Sequence, residues 1–178
     1  ALFNQSGVIR AQTISELFEF AKIFSKNKLQ KLEKVAIITN AGGPGVLTTD
    51  EVTDNGLQLA TLTEETQLAL RAVLPPAASV KNPIDVLGDA VSERYEQALK
   101  LVEQDPNVDG LIVVLTPQSM TEIEQTAQAI IALRKVSGKP IAVSFMGHEI
   151  VKSGVELMKQ AGIVTTHFPE QAAKAMAV

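Results

Sequence analysis

Apolar positions along this chain follow two alternating rhythms. The segments KVAIITN (34–40), GLQLATL (56–62), NPIDVLG (82–88), DGLIVVLT (109–116), KPIAVSFMG (139–147) and GIVTTHF (162–168) are short and apolar, several of them nearly without interruption. Such runs predict strands covered on both faces, as in a parallel sheet. Between them, residues 45–55, 63–74, 91–104, 119–136, 149–161 and 169–177 carry apolar side chains at helical spacing. Strict alternation predicts an α/β fold: a mainly parallel, doubly wound sheet with helices on both faces and right-handed crossovers.

Punctuation residues support these boundaries. Thr63 precedes EETQLALRAVL as a candidate N-cap, and Ser92 opens ERYEQALKLVEQ with Glu93 near the positive end of the helix. Gly138 and Gly162 are expected to end helices. LPPAASVKNP (74–83) predicts a rigid loop, because its prolines forbid regular helix. The first 33 residues differ: Ile14, Leu17, Phe18, Ala21 and Phe24 form a helical stripe that passes into the lysine-rich SKNKLQKLEK. They predict an N-terminal helix and linker (1–33) ahead of one domain (34–178).

Composition narrows the function. The chain has 178 residues, 46% of them hydrophobic and 20% charged, an ordinary globular balance. It holds no cysteine, which excludes disulfides, thiol catalysis and thiolate metal sites. Net charge is −4, the 16 basic residues are scattered, and there is no tryptophan and a single tyrosine, so nucleic acid is not an expected partner. No apolar run reaches the ~18–20 residues of a membrane span, and ALFNQSGVIR lacks a secretory layout. We expect a cytoplasmic protein without a membrane partner, and, from the opening Ala1, a piece of a longer or processed one.

In an open α/β sheet, ligands bind beyond the carboxyl ends of the strands. The loops there are NAGGPG, LGDA, TPQSM, MGHE and FPEQ. NAGGPG places glycines at 42, 43 and 45 before a helix, which suits an anion held by backbone amides, although a bare tight turn has the same glycines. It is neither a Walker A loop nor a dinucleotide fingerprint. In TPQSM, Pro117 suits a first helical turn and Ser119 an N-cap. Asp85 suits a hydroxyl, a metal-bound water or a partner's amides; Asp89 reads as a helix cap and Asn82-Pro83 as a turn. His148 follows a strand at an expected helix start and His167 ends the last strand; either suits a base, a phosphoryl acceptor or a plain solvated side chain or local cap. Two distant histidines without cysteine make no tetrahedral metal site.

Taken in order, GVIRAQTISELFEFA, VAIITNAGGPGVLTTDE, LPPAASVKNPIDVLGDA, YEQALKLVEQDPNVDGLIVVLTPQ and AGIVTTHFPEQAAKAM resemble the NDP-forming acyl-CoA synthetases: the ADP-forming acetate–CoA ligases and their succinyl-CoA synthetase relatives. The resemblance runs over nearly the whole chain. It implies a flavodoxin-like ligase domain, the counterpart of the C-terminal domain of the succinyl-CoA synthetase β-subunit. The implied reaction is acyl-CoA + ADP + phosphate ⇌ acid + CoA + ATP, through acyl phosphate and a phosphohistidine. The Ser-His-Thr-Gly-type stretch that carries that histidine is not in this sequence, nor are the CoA-binding glycine motif and the ATP grasp. His148 does not match the phosphohistidine context.

The resemblance therefore implies a module without catalytic residues or cofactors of its own. Its parent would use CoA, ATP/ADP and Mg, and its partners would be CoA-binding, phosphohistidine and ATP-grasp domains. The implied acyl- and phosphate-binding residues are Asn40, Ala41, Gly42 and Gly43, with Thr116, Pro117, Gln118 and Ser119 opening the helix aimed at the phosphohistidine. Succinyl-specific relatives carry a Gly-Gly pair where this chain reads TPQ, so a different acyl substrate is expected. The alternative is a non-catalytic, ligand-sensing or structural module of an acyltransferase-fused regulatory protein. A flavin binder or receiver domain is disfavoured, because the loops lack flavin-stacking aromatics and an early acidic cluster.

Overall fold

The computed structural model describes residues 32–177, together with residues 8, 11, 13, 14, 17, 20 and 21. Strands β1 (Lys34–Thr39), β2 (Gln58–Leu59), β3 (Ile84–Asp85), β4 (Gly110–Leu115), β5 (Ile141–Phe145) and β6 (Val164–Thr166) alternate with helices α1 (Gly42–Asp54), α2 (Glu64–Val73), α3 (Ser92–Gln104), α4 (Ile123–Val136), α5 (Lys152–Gln160) and α6 (Pro169–Ala177). The strands form one sheet in the order β2-β1-β4-β5-β6, with β3 also on β1, and each strand pair is parallel. Ile14, Leu17, Phe20 and Ala21 are helical, as the N-terminal stripe predicts; Phe18 and Phe24 lie outside the described residues.

The two faces of the sheet follow from the period of two along each strand. Val35, Ile37, Ile112, Val114 and Ala142 point to one face, where Val52 of α1 and Ala172, Ala173 and Met176 of α6 cover them. Ala36, Ile38, Val113, Val143 and Phe145 point to the other, beneath Leu70 of α2, Leu99 of α3, Ile130 of α4 and Met158 of α5. The expected doubly wound sheet with helices on both faces is therefore the observed one. β4 is buried at all six positions, which is why its sequence is uninterrupted GLIVVL.

The strands expected over 56–62 and 82–88 are shorter than the sequence suggests, and the reason lies on the outer edge of β1. Lys34 and Val35 pair with Gln58 and Leu59, while Ile38 and Thr39 pair with Ile84 and Asp85. Between these two short ladders sits the side chain of Asn82. Its Oδ1 accepts the Ile37 amide at 2.9 Å, and its Nδ2 donates to the Val35 carbonyl at 2.8 Å and the Ala60 carbonyl at 3.0 Å. One carboxamide thus replaces the missing stretch of ladder. With β2 and β3 sharing one position, the sheet has the flavodoxin-like order 2-1-3-4-5, and its topological switch point lies between β1 and β4.

Several helix boundaries differ from expectation. Thr63 caps α2 as predicted, its Oγ1 accepting the Thr66 amide at 3.2 Å. Ser92 does not cap α3: Val91 is the N-cap, and Ser92 is the first helical residue. Asp89 does not cap it either, because its carboxylate is held by Arg94 at 2.6 Å. Gly162, at φ 78°, ends α5 as expected, its amide donating to the Lys159 carbonyl.

Asp105, only 1% exposed, joins the start of α2 to the end of α3. Its carboxylate accepts the Thr63 amide (2.8 Å), the Thr63 hydroxyl (3.1 Å) and the Asn107 amide (2.9 Å). Burial pushes its pKa up, but these hydrogen bonds and one from Thr66 outweigh it, leaving the value below the ordinary one.

Two stability predictions follow from these side chains. Asn82→Ala leaves the Ile37 amide and the Ala60 carbonyl without partners, while the Val35 carbonyl keeps the Ala60 amide at 2.8 Å, and is expected to cost about 3 kcal/mol in urea unfolding; a loss under ~0.5 kcal/mol would mean that the edge repairs itself. Asp105→Asn is expected to cost ~1–3 kcal/mol at neutral pH. Because the folded-state pKa is depressed, that difference is fully present above ~4 and shrinks as pH falls through the folded value. Denaturation curves of both proteins at neutral and acid pH check the sign.

Candidate functional site

At the switch point the β1–β4 ladder reaches Thr39 opposite Val114 and goes no further. Beyond it the strands part, and side chains take over their backbone groups. Asn40, 2% exposed, accepts the Thr116 amide (2.8 Å) and hydroxyl (3.1 Å) on Oδ1 and donates from Nδ2 to the Thr116 carbonyl (2.8 Å). Tyr95 of α3, fully buried, donates its hydroxyl to the Val114 carbonyl at 2.9 Å. Burial pushes the Tyr95 phenol well above its ordinary pKa and the nearby Asp85 charge adds to this, while a hydrogen bond with the Asn40 backbone opposes it.

Sequence reasoning missed Tyr95. The available signal was the chain's single tyrosine on the apolar stripe of α3, with Ala98, Leu99 and Val102. A tyrosine buried there needs a partner for its hydroxyl.

The glycines expected to form a loop are in fact the first turn of α1, which starts at Gly42 with Ala41 as N-cap. Pro44 fits there because first-turn amides have no intrahelical partner in any case. Ala41 supplies no side-chain cap, and no acidic residue occupies the first turn. Gly42 and Gly43 are exposed. A Cβ on Gly43 would meet nothing within 4 Å, and one on Gly42 would have Asp85 Oδ2 as its neighbour at 3.8 Å. The other Asp85 oxygen accepts the Leu87 amide at 2.9 Å. Backbone donors at this helix end thus face solvent, with one carboxylate on their flank.

Thr116, Pro117, Gln118 and Ser119 do not open α4, which starts at Ile123 after Glu122. The Thr116 amide and carbonyl are spent on Asn40, and Thr121 Oγ1 takes the Gln118 amide at 2.8 Å while the Thr121 amide returns to the Gln118 carbonyl. These local bonds pre-empt helical ones and make residues 116–122 a structured loop, so Ser119 is not the N-cap. The far end of the loop is tied as well: the Glu122 carboxylate accepts the Ser92 hydroxyl (2.6 Å) and amide (2.9 Å). Hydrogen bonding from Ser92 holds the Glu122 pKa below the usual value.

The remaining loops close in around this one. A Cβ on Gly88 would lie 3.8 Å from the Asn40 carbonyl and 3.9 Å from Gln118 Cγ. A Cβ on Gly147, whose φ is 108°, would lie 2.7 Å from Pro117 Cγ. The structure thus brings residues 40–43, 85–88, 116–118 and 147 together at the carboxyl edge, as the strand-end argument expects. His148 (φ 41°) and His167 also meet there, ring centroids 5.4 Å apart. Both are exposed, and the acid nearest His148 is the adjacent Glu149, 3.4 Å from Nε2. Among the described residues no group of three or more His, Cys, Asp or Glu is placed to hold a metal, and no helix is long and apolar enough to cross a membrane.

Two glycines of this edge are expected to answer alanine in opposite ways. Gly147→Ala meets both an unfavourable φ and Pro117 and should cost ~1–3 kcal/mol. Gly43→Ala enters open space in a helix and should be neutral or stabilising by up to ~1 kcal/mol. Urea unfolding of both variants decides; equal losses would contradict the geometry.

Comparison with known proteins gives one consistent answer. The Ligase-CoA domain family matches residues 35–178. The chain is 46% identical to the α subunit of the ADP-forming acetate–CoA ligase II of Pyrococcus furiosus, covering 98% of this chain and 39% of that subunit. It is 36% identical to the ADP-forming acetate–CoA ligase I of Archaeoglobus fulgidus, covering 100% of this chain and 25% of that protein. A 4-hydroxybutyrate–CoA ligase (ADP-forming) of Nitrosopumilus maritimus is 31% identical over 99% of the chain and 25% of its own length. The solved structure of the Ca. Korarchaeum cryptofilum dinucleotide-forming acetyl-coenzyme A synthetase 1, in complex with phosphate and ADP, superposes with a TM-score of 0.91 at 32% identity, covering 98% of this chain and 38% of that one. The chain thus spans between a quarter and two-fifths of these relatives. A parallel sheet with its switch point between β1 and β4, loops gathered at that edge and a family match over residues 35–178 agree: this chain belongs to the Ligase-CoA domain family of the ADP-forming acyl-CoA ligases.

Proposed function

We propose that this chain is the ligase module of an ADP-forming acyl-CoA synthetase, with a helix and linker (1–33) joined to the ligase domain (34–178). Ala41, Gly42 and Gly43, with Thr116, Pro117, Gln118 and Ser119, form its share of an acyl- and phosphate-binding site, with Asn40 behind them. In the proposed reaction, phosphate displaces CoA from the acyl thioester to give acyl phosphate. The phosphoryl group then passes to a histidine of another domain, releasing the acid, and from there to ADP. CoA, ADP/ATP and Mg²⁺ belong in this scheme to the rest of the synthetase, where Mg²⁺ neutralises nucleotide phosphate charge.

The observation that carries this reading is the uncapped start of α1 at the switch point, beside the Thr116–Ser119 loop, in a chain of this family. A helix N-terminus presents roughly half a positive charge and free amides, which stabilise the negative charge of a transferring phosphoryl group. Asp85, beside Gly42, repels an anion from its own side and directs it toward Gly43 and Gln118. Exposed Val46, Leu47, Met120, Ile150 and Phe168 lie in or next to the loops and first turns that follow β1, β4, β5 and β6. Apolar side chains there suit burial against the phosphohistidine, CoA-binding or ATP-grasp parts of the synthetase.

Titration of the isolated chain with inorganic phosphate at low salt, read from amide NMR shifts, tests the site. Shifts are expected to cluster at Gly42, Gly43, Gly45 and residues 118–120, weakly, since one exposed helix terminus contributes ~0.3–1 kcal/mol. Gly43→Val, whose side chain enters open space, should weaken them without unfolding the domain. The isolated chain should form no ATP from acetyl-CoA, ADP and phosphate, whereas the complete parent protein should. Shifts centred on His148 and His167 with these loops silent, or turnover by the isolated chain, would overturn the assignment.

A further inference from the structure

We propose that Tyr95 and Asn40 form a latch that fixes the spacing between the Gly42–Gly43 turn and the Thr116–Ser119 loop, which makes Tyr95 a positioning residue that never touches the ligand. The inference rests on the reading of these loops as the acyl- and phosphate-binding site.

The argument starts from hydrogen-bond capacity. A carboxamide oxygen has two lone pairs and its nitrogen two protons. Asn40 spends both lone pairs and one proton on a single residue of the opposite loop, Thr116. That leaves little with which to bind substrate and describes a brace across the crevice. Tyr95 is fully buried, so its hydroxyl is out of reach of any ligand. Phenylalanine would fill nearly the same space without a hydroxyl to desolvate. The hydroxyl instead bonds the Val114 carbonyl, the last ladder position before β4 parts from β1. Two residues further along, Asn40 takes hold of Thr116, so Tyr95 and Asn40 grip successive positions of the chain as it leaves β4.

The rest of α3 strengthens this. Ser92, three residues before Tyr95 and so on the same side of the helix, holds Glu122 at the far end of the 116–122 loop. The first turn of α3 therefore secures the near end of that loop through Tyr95 and Val114, and the far end through Ser92 and Glu122. A site shared between two loops depends on their spacing, because a misplacement of ~1 Å can cost ~100-fold in rate.

Tyr95→Phe in the full 178-residue chain tests the latch through amide hydrogen exchange and the phosphate titration together. The expected result is exchange about tenfold faster at Asn40 and Thr116, with phosphate-induced shifts at Gly42, Gly43 and Gln118 weakened severalfold in a protein that stays folded. A merely structural role would lower Tm and leave the titration midpoint unchanged, and that result overturns the proposal. If Tyr95→Phe fails to fold, Asn40→Asp serves instead: it keeps the acceptors for Thr116 and loses the donor, and unchanged phosphate binding in it overturns the latch. Should the wild-type chain itself show no phosphate-induced shifts at these loops, the site assignment fails separately. The latch then stands or falls on the exchange rates of Asn40 and Thr116 in Tyr95→Phe. In the assembled synthetase, Tyr95→Phe should lower kcat about tenfold with KM for CoA unmoved; a change in KM alone would contradict positioning.

Discussion

A parallel sheet can open a crevice between two adjacent strands only by giving up ladder hydrogen bonds, and every buried amide and carbonyl so released needs another partner. Most of this site follows from how that requirement is met. β1 faces it on both edges. On the outer edge, Asn82 supplies one oxygen and one nitrogen to the gap between β2 and β3, and on the inner edge Asn40 does the same across to Thr116. A carboxamide suits both places because it carries donor and acceptor side by side, as a peptide group does, without a charge to desolvate. The first asparagine keeps the edge intact; the second lets the strands diverge while staying connected.

Electrostatics at the opening has a similar economy. Most helices here begin with an acidic residue in the first turn: Glu64 and Glu65 in α2, Glu93 in α3, Glu124 in α4 and Glu170 in α6. These charges offset the positive end of each helix dipole. α1 has no such residue and no side-chain cap, and its first turn consists of glycines and a proline. Its positive end is left to the neighbouring Asp85 on one side and to solvent on the other. Asp85 comes from β3, the short strand whose place on β1 depends on Asn82 next to it, so the edge repair and the charge pattern of the site are linked through a few residues of chain.

Much of this was legible in the sequence. Continuous apolar runs such as LIVVL give parallel strands, and stripes at helical spacing give the covering helices, because both depend on burial that periodicity reports directly. Strand-end loops rich in glycine and proline were also readable, since their conformations need those residues. What escaped was whatever depends on partners distant in sequence. Asn82 reads as a turn residue next to proline, yet it bonds Ile37, 45 positions away. Ser119 and Asp89 look like helix caps, but Thr121 and Arg94 offered their neighbourhoods other bonds. Tyr95 reads as an apolar stripe member, and only the fold shows what its hydroxyl reaches.

The site is built as one wall. Its floor is rigid: Asn40, Tyr95 and Glu122 tie the two loops to each other and to α3, and Gly147 packs against Pro117. Its opening is broad, with Gly42, Gly43, Gln118, Ser119, His148 and His167 all exposed and apolar Met120, Ile150 and Phe168 beside them. Exposed amides in water bind an anion weakly, because water competes for every donor and screens every charge. Amides of this kind stabilise an anion far more strongly where a second surface excludes that water. Under the proposed reading, an arrangement with a braced floor and an uncovered, partly apolar rim gains its binding strength on assembly. That matches a chain that accounts for only 25–39% of the length of its ADP-forming ligase relatives.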